Sequence, residues 1–302
     1  MSEGSLAAPA AVQHQPGALR RFGTFARRNP TIVIGAAMLA AMVALALLAP
    51  WLTNDPMSAA PVERLRPPDF SDFFNPEKRD RFGTDNLGRD IFARTLHGAR
   101  VSLLVGLTVA ALATTIGLAI GLVAGYYRRV DAVVMRVMDG LMSIPSILLA
   151  IALVALTRGG LLLLIVAITV PEVPRVVRLV RSVVLAVRER PFVDAAVSVG
   201  SRSRKIIVRH VLPLTLAPLI VQATYVCASA ILIEAGLSFL GAGVPPEIPT
   251  WGNMIAQSRL FFSRAPWLIL FPGAALALVV LAVNLLGDGL RDRLDPRLAR
   301  RM

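Results

Sequence analysis

The chain has 302 residues, 55% of them hydrophobic and 17% charged, and a formal net charge of +13. Soluble domains average about 25% charged residues. Several apolar runs here reach the roughly 20 residues a helix needs to cross a bilayer, so the composition excludes an ordinary soluble enzyme and predicts an all-α, polytopic membrane protein. The single cysteine, Cys227, excludes an intrachain disulfide, and His14, His97 and His210 have no metal-ligand spacing.

Residues 1–30 read as a cytosolic N-terminal tail, ending in the basic residues Arg20, Arg21, Arg27 and Arg28. Residues 31–52 form the first apolar run. A signal-peptide core is only about 7–15 residues long, so this run is expected to be a retained first span, although Ala44-Leu45-Ala46 resembles a cleavage site. Residues 53–98 are expected to be a solvated extracytoplasmic loop with balanced acidic and basic residues. A membrane core is expected over 99–290 and a cytosolic tail over 291–302.

The second span is expected over 101–125. Within it Gly117, Gly121 and Gly125 recur every four residues, leaving a strip without side chains where a neighbouring helix backbone can approach. A third run, 131–157, carries Pro145, which lacks an N–H and kinks a helix. Broken helices persist in membranes only where protein or a water cavity satisfies the freed groups, which makes Ser143 and Pro145 pathway candidates. The fourth run starts at Leu161, passes Pro171, Glu172 and Pro174, and leaves the membrane on a face bearing Arg175, Arg178 and Arg181, with Glu172 placed to pair with Arg175 or Arg178.

Residues 190–213 are a polar, basic interval between two long apolar runs. Pro191 suits the first position of a helix. Asp194 then falls in the first turn, where its charge meets the positive end of the helix dipole. Phe192, Ala195, Ala196 and Val199 recur at helical spacing and predict one apolar side. Gly200 ends the helix, and Arg202, Arg204, Lys205 and Arg209 lead back toward a fifth run over 214–240. Near the far end of that run, Glu234 is either an intramembrane acid, costly and therefore functional, or an interfacial one; Ser238 lies one turn away. The sixth span is expected over 266–286.

Six spans put both termini on one side. That side carries 21 of the 32 Lys and Arg residues, and such an excess marks the cytosol. Trp51, Trp251 and Trp267 are expected at the outer ends of spans, as amphipathic rings prefer. Topology and nearby anionic lipid headgroups account for the positive charge, so no nucleic-acid partner is expected. Neither lysine, Lys78 or Lys205, is followed by Ser or Thr, so the chain lacks a phosphate-binding loop. No zinc-binding helix or nucleophile elbow is present either. An ion-gradient-driven secondary transporter is the competing reading; it would need intramembrane acids, and few exist here.

Asp194-Ala195-Ala196, Gly200 and Leu212-Pro213 resemble the EAA loop of ABC-importer permeases, with Asp194 in place of the usual glutamate and His210 where many members have isoleucine. Arg209-His210-Val211-Leu212-Pro213 resembles the peptide-type branch. So do the stretch 81–90 (Arg-Phe-Gly-Thr-Asp-Asn-Leu-Gly-Arg-Asp), the stretch 98–103, Ala235-Gly236-Leu237-Ser238-Phe239-Leu240-Gly241, and the closing segments 284–292 and 294–297. The resemblance, over roughly residues 20 to 300, is to the C-type subunit of dipeptide and oligopeptide importers. It implies a type I importer permease fold in the bacterial inner membrane, with a second homologous permease, two cytosolic ATPases and an extracytoplasmic solute-binding protein as partners. ATP and Mg would sit on the ATPases, and this chain would be a transporter subunit with no bound cofactor, metal or catalytic residue. Phe192, Asp194, Ala195, Ala196, Gly200, Arg209, His210, Leu212 and Pro213 would form the ATPase-coupling loop.

Overall fold

A computed structural model describes residues 26–27, 29–73, 75, 78, 80–156 and 160–294. Arg20, Arg21, Arg28, Arg158 and the closing segment beyond Leu294 lie outside the described residues. The helices are α1 (Pro30–Leu52), α2 (Ile91–Tyr126), α3 (Arg128–Met142), α4 (Ser146–Ala155), α5 (Leu161–Arg188), α6 (Pro191–Ser198), α7 (Ser203–Phe239), α8 (Trp251–Ser258) and α9 (Trp267–Leu294). Among the described residues extended pairing is limited to one isolated bridge, Thr84–Asp90.

Asp90 caps the start of α2. Its side chain accepts from the Phe92 N–H at 2.8 Å, satisfying one of the donors that a helix start leaves open. The helix therefore begins ten residues before the expected Val101, and residues 91–98 are helical. From there α2 runs against α5 on one side and α7 on the other, while α1 lies along α9 and α9 along α7. Four helices, α1, α2, α7 and α9, are long and apolar enough to cross a membrane; α3 and α4, bent by 85° to each other, make a fifth if taken as one broken span. Against the six spans expected, the difference is α5, whose apolar run is interrupted by Glu172, Arg175 and Arg178.

Two helix interruptions follow from proline. Pro145 directly precedes α4 after the break at Ser143, a full break where a kink was expected. Pro50, inside α1, has no N–H to give the Ala46 carbonyl; Arg100 of α2 supplies the missing donor, its Nε at 2.6 Å. A long cationic side chain thus repairs a backbone defect on a neighbouring helix.

Most of residues 54–73 are exposed or half-buried, as expected of a solvated loop, but the stretch 81–90 departs from it. Arg81, Thr84, Asp85, Arg89 and Asp90 are buried. Arg81 donates to the carbonyls of Leu52 and Asn75 and lies 4.8 Å from the Phe92 ring centre. Arg89 pairs with Asp85 at 2.6 Å and reaches Gln257 of α8 at 2.8 Å, while Phe82 stacks on Phe271 of α9 at 4.0 Å. Arg89 and Asp85, opposed charges close in sequence, serve as an internal pair, and Arg81 is satisfied by carbonyls and a ring, so this stretch folds down as a cap. Trp251 is also corrected: it is fully buried, its indole donating to the Thr95 carbonyl, whereas Trp51 is 76% exposed. Trp251 opens a short separate helix that packs beneath the cap, where no lipid surface is available to the ring.

Candidate functional site

The polar interval after α5 folds as a helix, a corner and a return. Pro191 is the first residue of α6 and Asp194 lies in its first turn. At the other end Gly200 has φ +76°, a conformation that costs an L-residue roughly 1–2 kcal/mol. The Gly200 N–H donates to the Val197 carbonyl at 2.9 Å and the Ser201 N–H to Ala196 at 3.1 Å. These two bonds are a Schellman ending, and they fix the direction in which the chain leaves the helix. It re-enters α7 through a π-helical turn, Ile207–Val211, that carries Arg209 and His210; π turns recur at functional positions.

The buried side of α6 is Val193, 1% exposed, with Ala196 half-buried. The side expected to be apolar is largely open, with Phe192 (41%), Val199 (80%) and Ala195 facing outward, as does Asp194. Val193 anchors the helix, while Phe192, Ala195 and Val199 are left exposed. Phe192 lies 6.3 Å from the His210 ring, bringing the helix start and the re-entry together. Leu212 is half-buried and Pro213 exposed. Beside α6 opens a cleft of about 570 Å³ lined by Tyr126, Arg188, Glu189, Val193, Asp194 and Val197.

The remaining sequence-derived residues fall into separate places. Gly117, Gly121 and Gly125 face Val176, Val180 and Val184 of α5; a Cβ on each glycine would stand 2.5, 2.7 and 2.7 Å from the respective valine Cβ. Ser143 is exposed and bonds the Gly140 carbonyl, and Pro145 is exposed at the bend. Glu234 is fully buried within the protein; Ser238 donates to it at 2.9 Å and Ser102 of α2 at 3.3 Å, and the Thr250 side chain also reaches it. Gly236, between Glu234 and Ser238, places its would-be Cβ 3.5 Å from Ile147 of α4, so the two pathway candidates lie on adjoining helices.

Sequence reasoning missed two acids. Asp139 accepts from Arg178 Nη2 at 2.5 Å, and Asp131 receives both Nε and Nη2 of Arg181, the latter at 2.7 Å. The available signal was the row of arginines every three residues on α5, which needed acids on a facing helix. Glu172 pairs with Arg175 at 3.1 Å and accepts from Ser229 of α7 at 3.1 Å.

A bundle of long apolar helices with a broken span, and with a short exposed helix and corner between two of its members, defines a multi-pass membrane permease. The chain belongs to the family described as binding-protein-dependent transport system inner membrane component, whose model matches residues 113–300. Residues 18–68 match a second model, the N-terminal TM domain of oligopeptide transport permease C. The probable peptide ABC transporter permease protein y4tQ of Sinorhizobium fredii is 57% identical over 91% of this chain and 92% of its own. The di/tripeptide transport system permease protein DppC of Pseudomonas aeruginosa is 41% identical over 94% and 93%, and the dipeptide permease DppC of Alkalihalophilus pseudofirmus 43% over 90% and 88%. In fold the chain is similar to a chain of the MetNI methionine ABC transporter in an inward-facing conformation, with TM-score 0.54 and 22% identity over 67% of this chain and 96% of that one. The protein is thus an all-helical permease subunit of an ABC importer.

Proposed function

We propose that this permease carries di- or oligopeptides or related small solutes, and that α6 is the handle by which separate ATPases work it. Relatives named for peptide and dipeptide transport support the substrate class. The observation that carries the coupling role is α6 itself, held by one buried valine and a fixed corner, with Phe192, Ala195 and Val199 outward. Asp194 sets the helix start, Ala195 and Ala196 permit close approach, and Gly200 aims the return through Arg209, His210, Leu212 and Pro213. A second homologous permease would complete the pathway, two ATPases would bind ATP and Mg, and an extracytoplasmic binding protein would deliver solute. The charge distribution supports six spans with both termini in the cytosol. Nucleotide then biases a two-state equilibrium between inward-open and outward-open forms, because the ATPases grip α6 differently when closed.

Gly200→Pro removes the N–H that bonds Val197 and forbids the positive φ, and Ala196→Trp fills the approach. Both are expected to abolish uptake by the reconstituted complex while the permease stays in the membrane. Uptake at the parental rate with either change would remove the docking assignment. The ion-gradient alternative predicts uptake by this chain alone that an uncoupler stops; proteoliposomes with and without the ATPases separate the two.

A further inference from the structure

On the reading that α6 is the handle, the motion it receives must reach the broken span, and α6 leaves the end of α5 after only Glu189 and Arg190. The inner half of α5 is fastened on two sides. One ridge, Val176, Val180 and Val184, seats in the side-chain-free strip of α2, where backbone and valine already touch. The other, Arg178 and Arg181, grips Asp139 and Asp131 of α3, and Arg188 closes the corner between α2 and α3 by donating to the Tyr126 carbonyl at 3.2 Å. Beyond these fastenings both helices weaken. The path from α3 to α4 breaks with an 85° bend at Ser143–Pro145, and α5 carries Pro171 and Pro174, each lacking the N–H of an intact helix. Past the break, α4 packs on α5 and its Ile147 approaches α7 at Gly236.

We infer that the inner halves of α2, α3 and α5 form one rigid unit with α6, that Asp131–Arg181 and Asp139–Arg178 are the positioning pairs that force α3 to follow α6, and that this unit turns against α4 at Ser143–Pro145. Arginine is well matched to such a coupling, because its planar fork can engage a carboxylate at two points, as Arg181 does with Asp131, and so fix direction as well as distance. These pairs are partly exposed, Arg178 by 44% and Asp139 by 58% of their side chains, so they contribute little to holding the fold. Their value lies in the geometry they impose on α3.

The test uses the complete reconstituted complex with Arg181→Asp, Asp131→Arg and the double exchange D131R/R181D. It reads ATPase subunits retained on purification, ATP hydrolysis, and solute uptake. Arg181→Asp is expected to keep its ATPases and its hydrolysis while uptake per ATP falls about tenfold, with the double exchange recovering most of it. Spin labels at Arg136 and Ser182 should hold their separation through the ATP cycle, while labels at Arg136 and Leu148 change theirs. Parental uptake in Arg181→Asp, loss of the ATPases from that variant, no recovery in an exchange that still holds its ATPases, or α3 and α5 separating during the cycle would each overturn the inference. Failure of the handle reading is distinct: Ala196→Trp would then transport normally.

Discussion

The indole N–H of Trp251 donates to the backbone carbonyl of Thr95 at 3.0 Å, tying the first residue of α8 to the first turns of α2. Trp251 is fully buried, and a Cβ on Gly98 would lie 3.4 Å from its ring. Two substitutions separate the hydrogen bond from the packing. Trp251→Phe removes one net hydrogen bond and is expected to cost about 1 kcal/mol. Trp251→Ala opens a cavity and should cost about 3–5 kcal/mol. Thermal unfolding of the purified protein in detergent ranks them; equal midpoints for parent and Trp251→Ala would mean the ring is not part of the core.

The α2–α5 contact yields a prediction in which two glycines respond oppositely. At Gly121 an added methyl meets Val180 at 2.7 Å and the Val177 carbonyl at 3.0 Å. Backbone cannot give way as a side-chain end can, so Gly121→Ala should destabilise by about 1–3 kcal/mol. Gly140 in α3 has nothing within 4 Å, and Gly140→Ala should stabilise the isolated chain by about 0.4–1 kcal/mol through the unfolded state. Unfolding midpoints shifting in the same direction for both would contradict the packing described.

These glycines also show where sequence was sufficient and where it was not. A strip of small residues is visible along one helix, as are the proline at a helix start, the glycine at its end and the proline at a break, because each acts through its own backbone. Pro191, Gly200 and Pro145 therefore mark local structure at the positions expected from them. What fits into the strip is a property of another helix, and nothing in residues 117–125 names Val176 or Val180. The anchor of α6 was not legible for a related reason: helical spacing groups Phe192 with Val199, but the neighbours of α6 decide that Val193 is the buried residue. The cap was hidden more deeply, since Arg89 and Gln257 meet across 168 residues of chain. The row of arginines on α5 was legible; its acids on α3 needed the antiparallel pairing to be known.

Glu234 and its hydroxyl donors form the buried polar joint between α2 and α7. Glu234→Gln keeps an oxygen that can accept from Ser102 or Ser238, whereas Glu234→Ala leaves both hydroxyls without that acceptor, at about 1–3 kcal/mol for each unsatisfied group. Glu234→Ala is thus expected to reduce the protein's abundance in the membrane and its unfolding midpoint clearly more than Glu234→Gln. Removing the hydroxyls together, as Ser102→Ala with Ser238→Ala in the Glu234→Ala background, should recover part of the loss. A Gln variant as damaged as the Ala variant would instead make the negative charge, not the hydrogen bonds, the essential feature.

The cap carries a carboxylate whose ionisation is held in place by its neighbours. Asp69 accepts from Lys78 Nζ at 2.7 Å, from the Ser71 N–H at 2.9 Å and from the Ser71 hydroxyl at 2.8 Å. Lys78 foremost, then Ser71, lowers its pKa from 3.8 to about 2. Because the folded value lies below the ordinary one, these contacts favour the folded segment above the ordinary value, and the contribution is lost as pH falls through about 2. Mild acidification therefore leaves this corner of the cap intact. Carbon-13 NMR of the labelled Asp69 carboxyl in nanodiscs should show it titrating well below a free aspartate. Lys78→Met should move the midpoint back toward 3.8, since it removes the largest cause of the shift. A midpoint that does not respond to Lys78→Met would show that the lysine does not hold the carboxylate.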